Sequence, residues 1–334
     1  MLPPNHPPVA PRKIGVLLIN LGTPDAPEKG PVRRYLKEFL SDRRVVEIPP
    51  VLWQPILRGI ILTTRPKKSA HAYSKIWTKE GSPLAVVTRE QADAVQAAFG
   101  DAVTVDFAMR YGTPSISEKL TAMKQAGCDR ILLAPLYPQY SGATTATGFD
   151  AAAATLAKMR WQPAIRTLPP YFDDPAYIGA LKASVETGLA ALDFTPDALL
   201  ASFHSMPERT LTLGDPYHCH CQKTARLLAE ALNREVRVSF QSRLGRAKWL
   251  GPATDATLAA LPNTGTTKIA VFTPGFSVDN LETLEEIAMQ GRETFLGAGG
   301  TNFAYIPCLN ASPSGVAMLH ALLSRELAGW LPSS

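Results

Sequence analysis

Short apolar runs and amphipathic stretches alternate along this chain almost from end to end. Runs at residues 14–21, 103–109, 130–137, 199–203, 236–241, 269–273 and 303–307 are rich in aliphatic residues. They read as strands covered on both faces. Stretches 32–39, 115–125, 147–159, 173–190, 216–232, 255–261, 282–289 and 315–331 carry apolar residues at helical spacing. Such alternation predicts an α/β fold with parallel sheets flanked by helices. Prolines cluster in Pro169-Pro-Tyr-Phe-Asp-Asp-Pro175, so the chain is expected to divide there into domains over 13–170 and 171–334. The second would end in a C-terminal helix. No low-complexity segment or short repeat is present.

One stretch breaks the pattern. Residues 45–62 set Val45, Val46, Ile48, Val51, Leu52, Trp53, Ile56, Leu57, Ile60, Ile61 and Leu62 among prolines and a glycine. Two readings stand: a buried connection, or an exposed apolar lip over a greasy ligand or a membrane interface. The first dozen residues are proline-rich, lack the apolar core of a signal peptide and read as a disordered tail over 1–12. No apolar run is long enough to span a bilayer.

Composition narrows the class. At 334 residues with 46% hydrophobic and 19% charged, the chain suits two soluble domains with ample core. A net charge of +5 without a dense Lys/Arg tract gives no indication of nucleic acid binding. An anionic small molecule or a membrane surface fits that charge equally well. Four cysteines without a secretion signal argue for a reducing compartment, the cytoplasm, and against disulfides. Neither Gly-x-Gly-x-x-Gly nor a Walker A pattern occurs, so no nucleotide site is supported.

Two strands are each followed by a polar hook. His204 comes directly after the run 199–203, and Asp279, Asn280 and Glu282 follow 269–273. In open parallel sheets ligands bind beyond the carboxyl ends of strands, so both hooks are expected to open into one crevice. A loop histidine facing a carboxylate there suits proton removal or metal handling. Asp279 is the expected N-cap of the helix opened by Glu282. Of Glu282, Glu285 and Glu286, one is expected to face the cleft and the others water. Arg110 and Tyr111 also stand at a strand's carboxyl end, where an arginine suits a substrate carboxylate.

The run His218-Cys219-His220-Cys221 looks like a metal site. Asp215 and Pro216 just before it are cap and helix-start residues, and on a helix residues two apart point in nearly opposite directions. With Cys128 and Cys308 a four-cysteine [2Fe-2S] cluster is compositionally possible. Cys128 precedes its strand, however, and Cys308 follows one, which puts them at opposite poles of a sheet.

Nine ordered segments then point to one family. They are Leu18-Ile-Asn-Leu-Gly-Thr-Pro24, Gly81-Ser-Pro-Leu84, Met109-Arg-Tyr111, Leu136-Tyr-Pro-Gln-Tyr-Ser141, Ser202-Phe-His-Ser-Met-Pro207, Gly214-Asp-Pro-Tyr217, Phe240-Gln-Ser-Arg-Leu-Gly245, Trp249-Leu-Gly-Pro252 and Glu282-Thr-Leu-Glu-Glu-Ile287. The chain resembles the ferrochelatases, which insert ferrous iron into a porphyrin to form haem. The resemblance implies two Rossmann-like, chelatase-type domains with the porphyrin in the cleft between them. It implies His204 and Glu282 as catalytic residues and iron ligands, with Asp279 and Glu286 as a proton or iron relay. Leu21 falls beneath the ring, Arg65 and Lys68 on the cleft rim, and Tyr73, Arg110, Tyr137 and Trp249 at other cleft positions. It favours the lip reading of 45–62, and with it peripheral membrane contact on the cytoplasmic face. Animal members carry a histidine at the position of Asn280 and cluster cysteines that this chain lacks; Gly142 stands where one of them would be. Fe²⁺ is then a substrate and no cofactor is required. The alternatives are a coproporphyrin ferrochelatase, another tetrapyrrole chelatase, or a non-catalytic tetrapyrrole carrier.

Overall fold

In the computed structural model, which describes residues 5, 12–243, 245 and 247–331, all seven expected strands are present and pair in parallel. The first sheet contains β1 (Lys13–Gly22), β2 (Thr104–Tyr111), β3 (Cys128–Pro135) and β4 (Ala164–Thr167), in the order β2-β1-β3-β4. The second contains β5 (Ala198–His204), β6 (Val236–Gln241), β7 (Lys268–Phe272) and β8 (Asn302–Ile306), in the order β6-β5-β7-β8. The expected tail over 1–12 lies outside the described residues except at positions 5 and 12.

Alternation along β1 shows how the layers form. Val16 and Leu18 point into a core shared with Leu199, Ala201 and Phe203 of β5 and Phe272 of β7. Leu17 and Ile19 point the other way, onto Ile116, Leu120 and Met123 of the helix Ile116–Gln125. Leu200, Ile269 and Val271 likewise cover Leu258, Ile287 and Phe295 on the outer face of the second sheet. The largest core therefore spans both sheets, and the strands' carboxyl ends carry the connections examined below. The last helix, Pro313–Glu326, packs back onto the first half, where His320 meets Phe99 with ring centroids 4.4 Å apart.

Three elements are additions to the sequence expectation. Strand β4 is a four-residue edge strand, too short to register as a run. The helix Pro83–Phe99 buries Thr88 and Gln91 beside Leu84, Ala92 and Val95, so polar residues interrupt its apolar stripe. Residues 50–76 are helical throughout, as Pro50–Ile56, a wide-turned stretch Leu57–Ile61 and Leu62–Ile76, despite Pro55 and Pro66.

Candidate active site

The second sheet supplies the titratable groups. His204 was expected in a loop; it is instead the last residue of β5, in register with Gln241 of β6, because pairing continues to the strand's end. The chain beyond it is clamped. Ser205 N–H donates to the Gln241 carbonyl at 2.7 Å, and Leu250 N–H donates to the Met206 carbonyl at 2.9 Å. His204 Nδ1 lies 2.7 Å from the Ser205 carbonyl oxygen. A carbonyl only accepts, so this contact places the proton on Nδ1 and leaves the Nε2 lone pair free in the neutral ring.

Glu282 opens the helix Glu282–Gly291, whose turns are wide throughout, a form often found at functional sites. Asn280, not Asp279, caps it: Asn280 Oδ1 accepts from Glu282 N–H at 3.0 Å and Thr283 N–H at 3.1 Å. Asp279 is used elsewhere. Its Oδ1 accepts from Tyr305 at 2.6 Å and Thr283 at 3.1 Å, and its Oδ2 accepts from Asn310 at 2.7 Å. Both oxygens are therefore engaged.

The three glutamates divide in a way periodicity could not show. Glu285 is buried, accepting from Lys75 at 2.7 Å and Gln290 at 2.7 Å. Glu286 accepts from both the backbone and hydroxyl of Ser242. Neither is left to water. Glu282 has burial raising its carboxyl pKa above the ordinary value, partly opposed by the attraction of His204. The structure thus brings His204 and Glu282 within electrostatic reach of each other.

The first half faces them with tyrosines from two helices and the loop after β3. Tyr35, Tyr73 and Tyr137 are all pushed up by burial, and the charge of Glu282 acts on both Tyr35 and Tyr73. Tyr35 hydroxyl donates to the Gly22 carbonyl at 3.2 Å. Gly22 is required where it stands: its φ is +110° and a Cβ would meet the Tyr111 carbonyl oxygen at 1.8 Å. Leu21, just before it, is half-buried, with its N–H held by Asn20 Oδ1 at 2.9 Å. Leu281 and Leu284 pack on Val32, Ala70, Tyr73 and Ile76, so the helix bearing Glu282 rests directly on the first half.

Arg110 sits at the end of β2 as expected, but its guanidinium is committed. It donates to the Thr147 carbonyl at 2.9 Å, pairs with Asp42 and stacks 4.3 Å over the Tyr111 ring. Burial pushes the Asp42 carboxyl up, yet hydrogen bonds from Thr147, the Arg44 backbone and Tyr111, with the Arg110 charge, bring it below its ordinary value. A depressed carboxylate pKa stabilises the fold above the unfolded value and loses that contribution as pH falls through the folded one. Asp42→Asn is therefore expected to cost roughly 2–3 kcal/mol at neutral pH. The cost should fade in acid, a trend to be read from urea midpoints across pH.

Arg65 presents the opposite case. It is half-buried, burial lowers its pKa, and no ion pair or hydrogen bond reaches it among the described residues. Lys68 is exposed on the same helix. Trp249 is half-buried and bridges to Pro207, three residues after His204.

The stretch 45–62 resolves into both expected readings at once. Leu57 and Leu62 are buried, and Trp53 anchors the segment by donating to the Leu40 carbonyl at 2.6 Å. On its other side Val51 is 84% exposed, Leu52 63% and Ile60 57%. The apolar exposure is there, but Trp53, Leu57 and Ile61 lie on the buried side of the segment.

Among the cysteines, Cys128 is buried as the first residue of β3 rather than ahead of it. The helix Tyr217–Leu232, with Asp215 Oδ1 accepting from Tyr217 N–H at 3.0 Å, exposes Cys219 and buries Cys221. Cys308 follows β8 and lies beside Thr273 and Tyr305. Among the described residues no group of three or more His, Cys, Asp or Glu is arranged to hold a metal.

Two four-stranded parallel sheets of one strand order, flanked by helices, define a chelatase fold. The sirohydrochlorin chelatase SirB from Bacillus subtilis, solved with Fe³⁺, superposes with a TM-score of 0.58 at 11% identity, covering 95% of this chain and 97% of that one. A cobalt complex of SirB from Bacillus subtilis subspecies spizizenii gives 0.56 at 11% identity, covering 94% of each chain. The ferrochelatase family model matches residues 13–327, and the chain belongs to the ferrochelatase family. Ferrochelatases from Rhizobium meliloti (strain 1021) and Methylocella silvestris are 55% and 50% identical, covering 98% and 96% of this chain and 98% and 95% of theirs. The chain is accordingly a metal chelatase whose substrates are a porphyrin and ferrous iron.

Proposed function

We propose that the chain inserts Fe²⁺ into protoporphyrin IX, releasing two protons, between the carboxyl edges of its two sheets. One observation carries this reading: His204 Nε2 has its lone pair free beside Glu282, whose proton affinity burial has raised. Metal insertion must strip two pyrrole protons from a flat ring. A neutral imidazole accepts one, and a carboxyl of raised pKa passes protons onward. Glu286 continues this route. It lines a cavity of about 550 Å³ with Asp255 and Gln290, beyond Glu282. Asp279, buried and accepting from Tyr305, Thr283 and Asn310, holds the helix start and does not line that cavity.

Leu21 then supports the ring, with Tyr73, Tyr137 and Trp249 around it. Arg65, charged and without a partner among the described residues in a half-buried setting, meets a substrate propionate, with Lys68 further out. Arg110 serves the fold through Asp42. The apolar lip and the scarcity of free basic groups favour protoporphyrin, with two carboxylates, over more acidic tetrapyrroles. Anaerobic incubation with Fe²⁺ and either protoporphyrin IX or coproporphyrin III, followed by absorption, tests the reaction and the preference together. Spectra unchanged by either porphyrin would leave a carrier.

The exposed lip supports peripheral contact with the cytoplasmic face of a membrane; no helix among the described residues is long and apolar enough to cross one. Serine at Val51 and Leu52 is expected to weaken liposome cosedimentation several-fold with melting unchanged, since both side chains are exposed. Parental cosedimentation by that variant would place the contact elsewhere.

A further inference from the structure

The loop between β3 and the helix Thr147–Leu156 carries Tyr137, yet residues of the other half hold it. Tyr140 N–H donates to His220 Nδ1 at 3.2 Å, and Gly142 N–H donates to Asp215 Oδ2 at 2.7 Å. The Ser141 hydroxyl donates to that same oxygen at 3.3 Å, and Gln139 Nε2 donates to Thr224 at 3.0 Å. Four consecutive residues are thus tied to residues 215–224. His220 is fixed in turn by stacking on Phe172, with centroids 3.6 Å apart and planes 8° apart. Asp215 is a shared cap. Its other oxygen accepts from Tyr217 N–H, so one carboxylate serves two helix starts.

Within the loop, Ser141 caps Ala143 N–H at 3.2 Å, but other polar atoms there have no partner among the described residues. Tyr137 hydroxyl, Gln139 Oε1 and Thr145 Oγ1 are buried with no hydrogen-bond partner. Tyr137 lies close enough to Tyr111 and Arg110 to feel their charges, and close enough to Tyr35 to affect it in turn. Tyr35 is also within reach of Glu282, so this loop borders the cleft.

We infer that His220 and Asp215 are positioning residues for porphyrin binding. From the second half they hold residues 140–142 of the first, and with them Tyr137, against the cleft. The inference rests on the cleft reading above. Its essential demand is an unprotonated acceptor at the position of His220 Nδ1.

Three variants of the full chain test it, assayed anaerobically with protoporphyrin IX and Fe²⁺. His220→Ala removes the acceptor and is expected to raise the porphyrin KM about five-fold, the effect of one lost hydrogen bond, with kcat unchanged. His220→Asn puts an amide oxygen close to where Nδ1 stood and restores the porphyrin KM. His220→Gln, whose amide reaches toward the place of Nε2, does not. Should the alanine variant fold poorly, the Asn and Gln pair still decides the matter. A parental porphyrin KM in His220→Ala and His220→Gln, or equal loss of kcat in all three variants, would overturn the inference. Failure of the cleft reading shows separately, as near-parental insertion by His204→Ala.

Discussion

His204→Ala is expected to lower metal insertion by at least about a hundredfold while porphyrin binding, read by fluorescence quenching, stays within a few-fold of parental. The magnitude is that of a lost proton acceptor positioned in the transition state. Sparing of binding follows from placement, because His204 ends β5 whereas the tyrosines and Leu21 that face it belong to the first half. Ser205 and Met206, which hold the segment, bond through their backbones and through the Ser205 hydroxyl, which donates to Leu250. Removing the imidazole leaves all of these intact. A variant that inserts iron at near-parental rate excludes His204 as the acceptor.

Glu282→Gln is expected to reduce turnover about as deeply while making the protein more stable at neutral pH. Burial raises the Glu282 pKa, so the folded state holds this proton more tightly than the unfolded chain does. A carboxyl shifted upward costs nothing below its unfolded pKa. Its penalty grows as pH rises through the folded value and is complete above it. Glutamine has no charge to desolvate and so lacks that penalty. The gain in melting temperature should therefore appear near neutral pH and vanish in acid. The helix keeps its cap because Asn280 bonds the backbone N–H of Glu282, not its side chain. A loss of stability at neutral pH in Glu282→Gln would show that the carboxylate is well paired rather than strained.

Strands were the legible part of the sequence, because those buried on both faces, such as β1 and β5, are continuous aliphatic runs; even β6, a half-exposed edge strand, has the expected bounds residue for residue. The rule that ligands gather at strand carboxyl ends was enough to expect His204 and Glu282 near one another, and each lies within the other's electrostatic reach. What escaped depends on partners distant in sequence. Asp279 and Asn280 are equally good caps by residue type, and the choice falls to Asn280 because Tyr305 and Asn310, from beyond the next helix, claim Asp279. Glu285 and Glu286 read as solvated for the same reason. Lys75 is 210 positions away from Glu285, and Ser242 lies across a helix and a strand from Glu286. Tyr35 lies within the stretch 32–39, read only as a helix, and nothing local marks the glutamate near it.

The two sheets share one strand order, which makes β1 and β5 counterparts. Each is the second strand in its sheet, and each carries its last residues to that sheet's carboxyl edge. At that equivalent place the first half presents Leu21 and Gly22, an apolar side chain and a bare backbone; the second presents His204. A unit used twice with identical ends would offer a ligand two equal walls. Here the halves have parted company, one wall greasy and phenolic, the other basic and acidic. On the proposed cleft reading, a disc held between them would have a face for support and a face for chemistry, leaving one side for productive metal approach.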